Sequence, residues 1–271
     1  MSIYYAGSSF APSTANPYDN NRPYNANWIM LKIADNSYTG SGDKIGGLLK
    51  LVIDKNRVGW EYRIFDFIQY ESSHNKNIIV AIDESDLKTA KSVYDNHKYT
   101  DNFLRMYEHK ILIHSTAKEN YISIIKGGHL KSWNLLKKLG VLTEDKPIGS
   151  LLGQAPDFDD YIMFTNGGRM NVEVVVASKQ KGKIIDGGNF GDFDIPYIAG
   201  ARFYFDAEKI ARDGLIVRDG LNLKVKDSLP IDKYLLWTAT PDILGIPEET
   251  TPRIFHEKAN AMFEQKFEIA L

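Results

Sequence analysis

The apolar positions of this chain form many short runs with strand character and a few segments with helical spacing. Strands are predicted where β-branched and aromatic residues run continuously or alternate with polar ones, over residues 28–33, 48–53, 60–68, 77–82, 110–113, 161–164, 172–177, 201–205, 221–225 and 234–238. Helices are predicted where apolar residues recur three and four positions apart, over residues 86–95, 117–126, 132–139, 207–212 and 254–267. Asp206 is the predicted N-cap of the helix over residues 207–212. Strands outnumber helices and lack a regular strand–helix–strand rhythm, which predicts an α+β fold instead of a doubly wound sheet.

One predicted strand ends in His114-Ser115-Thr116 and passes directly into a helix. Thr116 stands three residues before Glu119, which is the spacing of a capping box, in which each side chain accepts a hydrogen bond from a free N–H of the helix start. The glycine pair 127–128 predicts the helix end. The predicted buried stripe of this helix consists of Tyr121, Ile122, Ile124 and Ile125.

The composition limits the chemistry that the chain can perform. It has 271 residues, no cysteine and a formal net charge of −2. The absence of cysteine excludes disulfides, thiolate zinc sites and cysteine nucleophiles, and the balanced charge gives no overall attraction to nucleic acid. Residues 7–27, rich in Ser, Pro, Asn and Tyr, predict an irregular arm, and no segment has the apolar character of a leader or a membrane span. We therefore expect a soluble, cytoplasmic protein without a membrane partner.

The strand end at His114-Ser115-Thr116, with the helix that closes on Ile-Ile-Lys-Gly-Gly, resembles the opening motif of the NAD-dependent ADP-ribosyltransferase superfamily. Two branches look most similar, the RNA 2′-phosphotransferases and the DNA-modifying ADP-ribosyltransferase toxins. The resemblance implies that NAD is bound as a substrate, that His114 bonds a ribose hydroxyl and that backbone groups near Ser115 hold the nicotinamide amide. Thr116 and Tyr161 complete the implied cofactor-binding set, with Tyr161 on the nicotinamide side. From the residues alone, His114 can equally be a strand-end histidine that its neighbours satisfy.

Residues 201–235 are similar to the end of the RNA 2′-phosphotransferases, and this second similarity follows the first in the same order along the chain. It comprises a strand, a short helix with an Asp-Gly exit, a further strand and a Leu-Pro-x-x-Tyr-Leu ending. The resemblance covers about residues 104–237 and implies an ADP-ribosyltransferase-like fold of split, twisted antiparallel sheets with short flanking helices. We therefore expect an N-terminal α+β region with the irregular arm over residues 1–105 and an ADP-ribosyltransferase-like domain over residues 106–271. One continuous domain is the alternative.

Two charged residues are the predicted catalytic groups. Enzymes of the superfamily break the nicotinamide–ribose bond, and either a glutamate manages the charge on the ribose or arginines hold an acceptor phosphate. Glu173, in the apolar run 172–177, is expected to point to a cleft or to solvent because burying a carboxylate is costly. Arg202 is the candidate for contact with a phosphate. On the residues alone, Glu173 can also be the solvent-facing residue of an edge strand, and Arg202 a surface arginine that covers aromatic rings.

The chain departs from both branches. The full arginine set of the phosphotransferases is not visible, and residues 234–238 lack the late glutamate of the DNA-modifying toxins. Two functions therefore stay open. The first is an ADP-ribosyltransferase-like enzyme that cleaves the nicotinamide–ribose bond and transfers ADP-ribose to an unknown acceptor, a protein or a nucleic acid. The second is a non-catalytic binding or interaction protein that retains the fold.

Other candidate sites have simpler interpretations. Asp157, Asp159 and Asp160 lack the spacing of a calcium loop, and the histidines lack the spacing of a zinc site, so no metal site is predicted. The glycine-rich residues 40–47 do not match a phosphate-binding loop and are interpreted as a turn.

Overall fold

The computed structural model describes residues 1–35, 40–97, 101–141, 158–166, 169–183, 185 and 193–271, with the backbone alone at residues 40–44 and 166. The chain divides into two compact units: residues 1–98 with 218–222, and residues 99–217 with 223–271. The domain boundary that we expect between residues 105 and 106 stays a prediction. No helix in the described part of the chain is both long enough and apolar enough to cross a membrane.

The first unit contains a five-stranded sheet. Its strands are β1 (Ile3–Ala6), β2 (Trp28–Ala34), β3 (Gly40–Ile45), β4 (Leu48–Asp54) and β5 (Asn77–Ala81). The spatial order is β1-β5-β2-β4-β3, in which the first four strands are parallel and β3 is antiparallel to β4. The fold therefore mixes helices and strands as predicted, but the parallel sheet was not predicted. Residues 40–47 also differ from the predicted turn, since most of them form β3 and the turn is confined to Gly46 and Gly47.

The described residues of this unit form two helices, α1 (Trp60–Ser73) and α2 (Glu84–Asp95). The strand predicted over residues 60–68 is wrong, because this segment is the first part of α1. Its alternation of apolar and polar residues is short, whereas the buried Ile64, Phe67 and Tyr70 recur every three residues, which is helical spacing. Residues 7–27 form no helix and no strand beyond an isolated bridge, as expected for the irregular arm.

The second unit is built from small antiparallel sheets. The largest has the order β15-β11-β6-β9, where β6 is Ile111–Thr116, β9 is Thr165–Asn166, β11 is Ala201–Asp206 and β15 is Leu235–Ala239. A three-stranded sheet has the order β12-β13-β8, formed by Ile216–Arg218, Leu223–Lys226 and Tyr161–Met163. Two further pairs join β7 (His129–Lys131) to β14 (Ser228–Pro230) and β10 (Tyr197–Ile198) to β16 (Glu249–Thr250).

Seven helices of the second unit lie within the described residues. They are α3 (Lys118–Gly127), α4 (Trp133–Lys138), α5 (Asn171–Lys181), α6 (Ala207–Arg212), α7 (Ile231–Tyr234), α8 (Pro241–Leu244) and α9 (Pro252–Phe267). A 3₁₀ turn, Phe158–Asp160, precedes β8.

The strand predicted over residues 172–177 is wrong, because this run forms part of α5. Val174 and Ala177 are buried, together with Glu173 and Ser178, so the buried positions repeat at three and four residues. A run of six residues that is apolar except for Glu173 fits a buried strand or a buried helix equally well. Here burial in the tertiary structure overrides the strand preference of the three consecutive valines.

The start of α3 also differs from the prediction. Its N-cap is Ala117, and no side chain caps the helix, so the capping box of Thr116 and Glu119 is wrong. The end is confirmed, since Gly128 takes the left-handed conformation with φ 66°. The stripe is half correct: Tyr121 and Ile124 pack against the core, whereas Ile122 and Ile125 are exposed.

The central sheet of the second unit has two distinct faces, because successive strand residues point to opposite sides. On one face Ile113 and Tyr204 belong to an apolar cluster with residues of α5 and α9, and we call this the helix-covered face. On the other, Leu112 and Phe203 belong to a second cluster. The second face carries His114, which pairs in register with Phe203, and we call it the His114 face.

Candidate functional site

His114 lies in β6 and is held by β8, a strand of the separate three-stranded sheet. Its ring Nδ1 is 3.1 Å from the carbonyl oxygen of Met163, and the ring stands edge-on to Phe164 with the centroids 6.3 Å apart. A carbonyl oxygen can only accept a hydrogen bond, so Nδ1 carries the proton. Burial lowers the pKa of His114, with the bond to Met163 opposing that shift. The ring is therefore neutral near pH 7, and Nε2 is a hydrogen-bond acceptor.

The second nitrogen of this ring, Nε2, has unused capacity to accept a hydrogen bond. His114 is half-buried, and Nε2 has no hydrogen-bond partner among the described residues. A neutral imidazole nitrogen in this state accepts a hydrogen bond from a hydroxyl or an amide N–H. Such an atom suits a ribose hydroxyl better than it suits an anion.

The other predicted cofactor-binding residues lie in different surroundings. Thr116 shares the His114 face and is 8% exposed. Ser115 projects from the opposite face, where its hydroxyl donates to Glu173 Oε1 at 2.6 Å. Tyr161 lies in β8, two residues before Met163, and Lys224 Nζ is 4.4 Å from its ring centroid.

The two predicted catalytic residues form a closed ion pair. Arg202 NH1 donates to Glu173 Oε1 at 2.6 Å, and both side chains are 0% exposed. Glu173 is therefore not at the edge of a sheet and does not point to a cleft or to solvent, contrary to the expectation. Arg202 is not at the surface, because its side chain extends beneath α5 and α9 on the helix-covered face.

Three further polar residues extend this pair, and the sequence analysis did not identify them. Arg202 Nε donates to the hydroxyl of Tyr204 at 3.1 Å, and Arg202 NH2 donates to Asn260 Oδ1 at 3.1 Å. The Tyr204 hydroxyl also donates to Asn260 Oδ1 at 2.9 Å. Asn260 Nδ2 is 3.4 Å from His256 Nε2. His256 and Asn260 stand four residues apart on the buried side of α9, so polar residues on an otherwise apolar helix face were the available signal.

The electrostatics of this network follow from its burial. Burial, and then the positive charge of Arg202, lower the pKa of His256 to about 4. Burial raises the pKa of Tyr204 despite the opposing effect of Arg202. Burial likewise raises the pKa of Tyr197, and the nearby Glu173 carboxylate raises it further. Near pH 7 His256, Tyr204 and Tyr197 are therefore neutral neighbours of the Glu173–Arg202 ion pair.

Two buried atoms of the network have no hydrogen-bond partner among the described residues, Glu173 Oε2 and His256 Nδ1. Since His256 is neutral and its Nε2 faces the amide N–H₂ of Asn260, its proton lies on Nδ1. The network thus has one buried acceptor and one buried donor that make no hydrogen bond within the described residues.

The predicted site residues divide between the two faces of the sheet. Ser115 pairs with Arg202, and His114 pairs with Phe203, so the ion pair and the histidine leave the same two strands in opposite directions. A ligand that contacts His114 Nε2 therefore cannot reach Glu173 or Arg202 without passing through the sheet. The structure brings Ser115, Glu173 and Arg202 together, and it separates them from His114.

No group of three or more His, Asp or Glu residues that could hold a metal ion occurs in the described ranges. Asp157 lies outside these ranges, while Asp159 and Asp160 lie in the 3₁₀ turn before β8. Comparison of the chain with models of protein families, with curated proteins and with solved structures returned no match.

Proposed function

We propose that the chain is an ADP-ribosyltransferase-like enzyme that binds NAD as a substrate through His114 and cleaves the nicotinamide–ribose bond. The observation that carries this proposal is the state of the His114 ring. Its Nδ1–H is bound to the Met163 carbonyl, the ring is neutral, and Nε2 is left to accept a hydrogen bond from a ribose hydroxyl. The strand end His114-Ser115-Thr116 is the segment that resembles the superfamily.

The sheet arrangement of the second unit supports the same proposal. A four-stranded antiparallel sheet contains β6, a separate three-stranded sheet contains β8, and the bond from His114 to Met163 links them. Two small antiparallel sheets that meet beside the histidine are compatible with the split-sheet fold of this superfamily. We assign the cofactor to the His114 face, with Thr116 on the same face, and leave the acceptor as a protein or a nucleic acid.

A second candidate function is favoured by the closed ion pair. With Glu173 neutralised by Arg202 on the far side of the sheet, no catalytic carboxylate on the His114 face has been identified in the described residues. A non-catalytic protein that retains the fold and binds NAD, or a partner, accounts for this arrangement. The two candidates differ in whether the nicotinamide–ribose bond is broken.

The test is incubation of the full chain with NAD, with free nicotinamide measured by chromatography and NAD binding measured by thermal shift. We expect nicotinamide release, and we expect His114→Ala to reduce the affinity for NAD about tenfold or more, the effect of losing one well-placed hydrogen bond. His129→Ala is the matched control, because His129 is an exposed histidine of β7. It should leave both measurements unchanged.

The outcomes separate the two candidates. A thermal shift without nicotinamide release identifies the non-catalytic binding protein. If neither signal appears, the proposed function is wrong. Release that continues at the same rate in His114→Ala would contradict the assignment of the site.

A further inference from the structure

The polar end of β6 is anchored on both sides of the sheet. On the His114 face, the ring Nδ1 lies 3.1 Å from the Met163 carbonyl oxygen. On the helix-covered face, the Ser115 hydroxyl donates to Glu173 Oε1 at 2.6 Å. Consecutive residues of one strand are thus held from opposite directions, which restricts rotation of the peptide group between them.

The anchor on the helix-covered face is itself rigid. Glu173 is fixed by Arg202 at 2.6 Å, and the guanidinium is fixed in turn by Tyr204 and Asn260, each at 3.1 Å. A charge-assisted hydrogen bond in a buried site is stronger than a neutral one, so Glu173 holds the Ser115 hydroxyl more firmly than an amide or a water would. The position of Ser115 is therefore set by α5 and β11.

Stability alone does not require this arrangement. A buried ion pair is costly to desolvate, and replacing both partners with apolar residues is often neutral or stabilising. What an apolar pair would not supply is an acceptor for Ser115. The hydrogen bond to Ser115 is thus the specific contribution of Glu173 to β6.

We propose that Glu173 and Arg202 are positioning residues, which hold the end of β6 through Ser115 and so fix the orientation of the His114 ring on the other face. Neither residue touches a ligand bound at His114, because the sheet lies between them. The consequence for NAD rests on the function proposed above, whereas the consequence for the His114 ring does not. The pair thereby has a role other than the catalytic one that its residue types suggest.

Two double variants test this role. Glu173→Gln with Arg202→Met removes both buried charges but keeps a side-chain oxygen that can accept from Ser115. Glu173→Leu with Arg202→Met removes the same charges and also removes that acceptor. Since both variants lack an unpaired buried charge, both are expected to fold.

The first measurement is the state of the His114 ring, observed by ¹H–¹⁵N NMR of the imidazole as a function of pH. The Gln variant should keep the proton on Nδ1 and the lowered pKa of His114. The Leu variant should lose the fixed Nδ1–H tautomer, because the ring is no longer held against the Met163 carbonyl. A role in stability alone would change both variants equally, so identical His114 signals in the two variants would overturn the proposal.

The second measurement is the affinity for NAD. The Leu variant should bind NAD about tenfold more weakly than the Gln variant, which corresponds to the loss of about one hydrogen bond. If the unchanged chain does not bind NAD, the proposed function fails while the NMR comparison still decides the positioning role. If the Leu variant does not fold, Ser115→Ala, which keeps the ion pair, takes its place in the NMR comparison with the unchanged chain, and an unaltered His114 signal there would also overturn the proposal.

Discussion

His114 and Ser115 are neighbours in the chain, yet their side chains take part in different chemistry. His114 presents a neutral acceptor nitrogen on one face of the sheet, and Ser115 binds a buried carboxylate on the other. The alternation of strand side chains has this effect wherever two polar residues follow each other in a strand. At the residue scale, a contiguous polar triplet is therefore not evidence for one contiguous site.

A second residue, Gly200, allows two segments of the backbone to lie very close together at the end of β6. A Cβ on Gly200 would lie 2.1 Å from the carbonyl oxygen of Thr116 and 2.6 Å from the amide nitrogen of Lys118. Both atoms belong to the backbone at the junction of β6 and α3, so no side-chain rotation can relieve the overlap. Only glycine fits at this position.

We predict that Gly200→Ala lowers the free energy of unfolding by about 1–3 kcal/mol or more, because the junction must move to admit the methyl group. Urea unfolding followed by circular dichroism measures the change. Gly127→Ala is the control, since a Cβ there has no neighbour within 4 Å, and it should leave the stability unchanged or raise it by up to about 1 kcal/mol. Equal stability of Gly200→Ala and the unchanged chain would contradict the close approach.

At the scale of elements, some helices begin with a side-chain cap and others do not. Asp206 caps α6, as predicted, with its Oδ1 accepting from the amide of Lys209 at 3.0 Å. The equally regular spacing of Thr116 and Glu119 does not cap α3, because the helix begins one residue later, with Ala117 at the N-cap. A capping box requires the hydroxyl residue to be the N-cap itself, with the acidic residue three positions later.

We predict that Asp206→Ala lowers the free energy of unfolding by about 0.5–2 kcal/mol, the usual contribution of an N-cap. Glu119→Ala should change it by less than about 0.5 kcal/mol, since Glu119 is an exposed residue without a capping role. Chemical denaturation of the two variants side by side makes the comparison. If both variants lose a similar amount of stability, Glu119 does take part in a capping box, and the prediction is wrong.

At the scale of the whole molecule, the chain combines two compact units of different construction. One unit has a parallel sheet with α1 and α2, and the other has small antiparallel sheets around two apolar clusters. The second unit contains the buried network of Glu173, Arg202 and His256, so a change in its protonation alters the stability of that whole unit.

The sign of this effect follows from the pKa of His256, which burial and Arg202 lower to about 4. An unfolded chain binds a proton at His256 below about pH 6.5, whereas the folded chain resists it until about pH 4. We therefore predict that the free energy of unfolding falls as the pH is lowered between these two values, with no further loss from this group below the lower one. His114, whose pKa is also lowered, contributes in the same direction.

Urea unfolding at several pH values between about 7 and about 4.5 measures this slope. His256→Gln should flatten it, because the group that takes up the proton is gone. His129→Gln, at an exposed position in the same unit, should keep the slope of the unchanged chain. If His256→Gln does not change the slope, other groups cause the pH dependence of the stability.

The sequence by itself determined features whose causes lie within a few residues. The strands β6 and β11, the left-handed Gly128 that ends α3, and the Asp206 cap were all predicted, because turn geometry and capping depend on adjacent residues. The role of His114 in binding a ligand stays a prediction.

The tertiary structure alone decided where Glu173 lies and what it does. Its run of valines fits a strand or a helix equally well by local pattern, and its partners Ser115 and Arg202 are 58 and 29 residues away in the chain. The assignment of His114 and Ser115 to opposite faces, and the parallel pairing of β1, β2, β4 and β5, likewise depend on which distant strands meet. Burial and strand register are set by the packing of the whole unit, so no local pattern contains them.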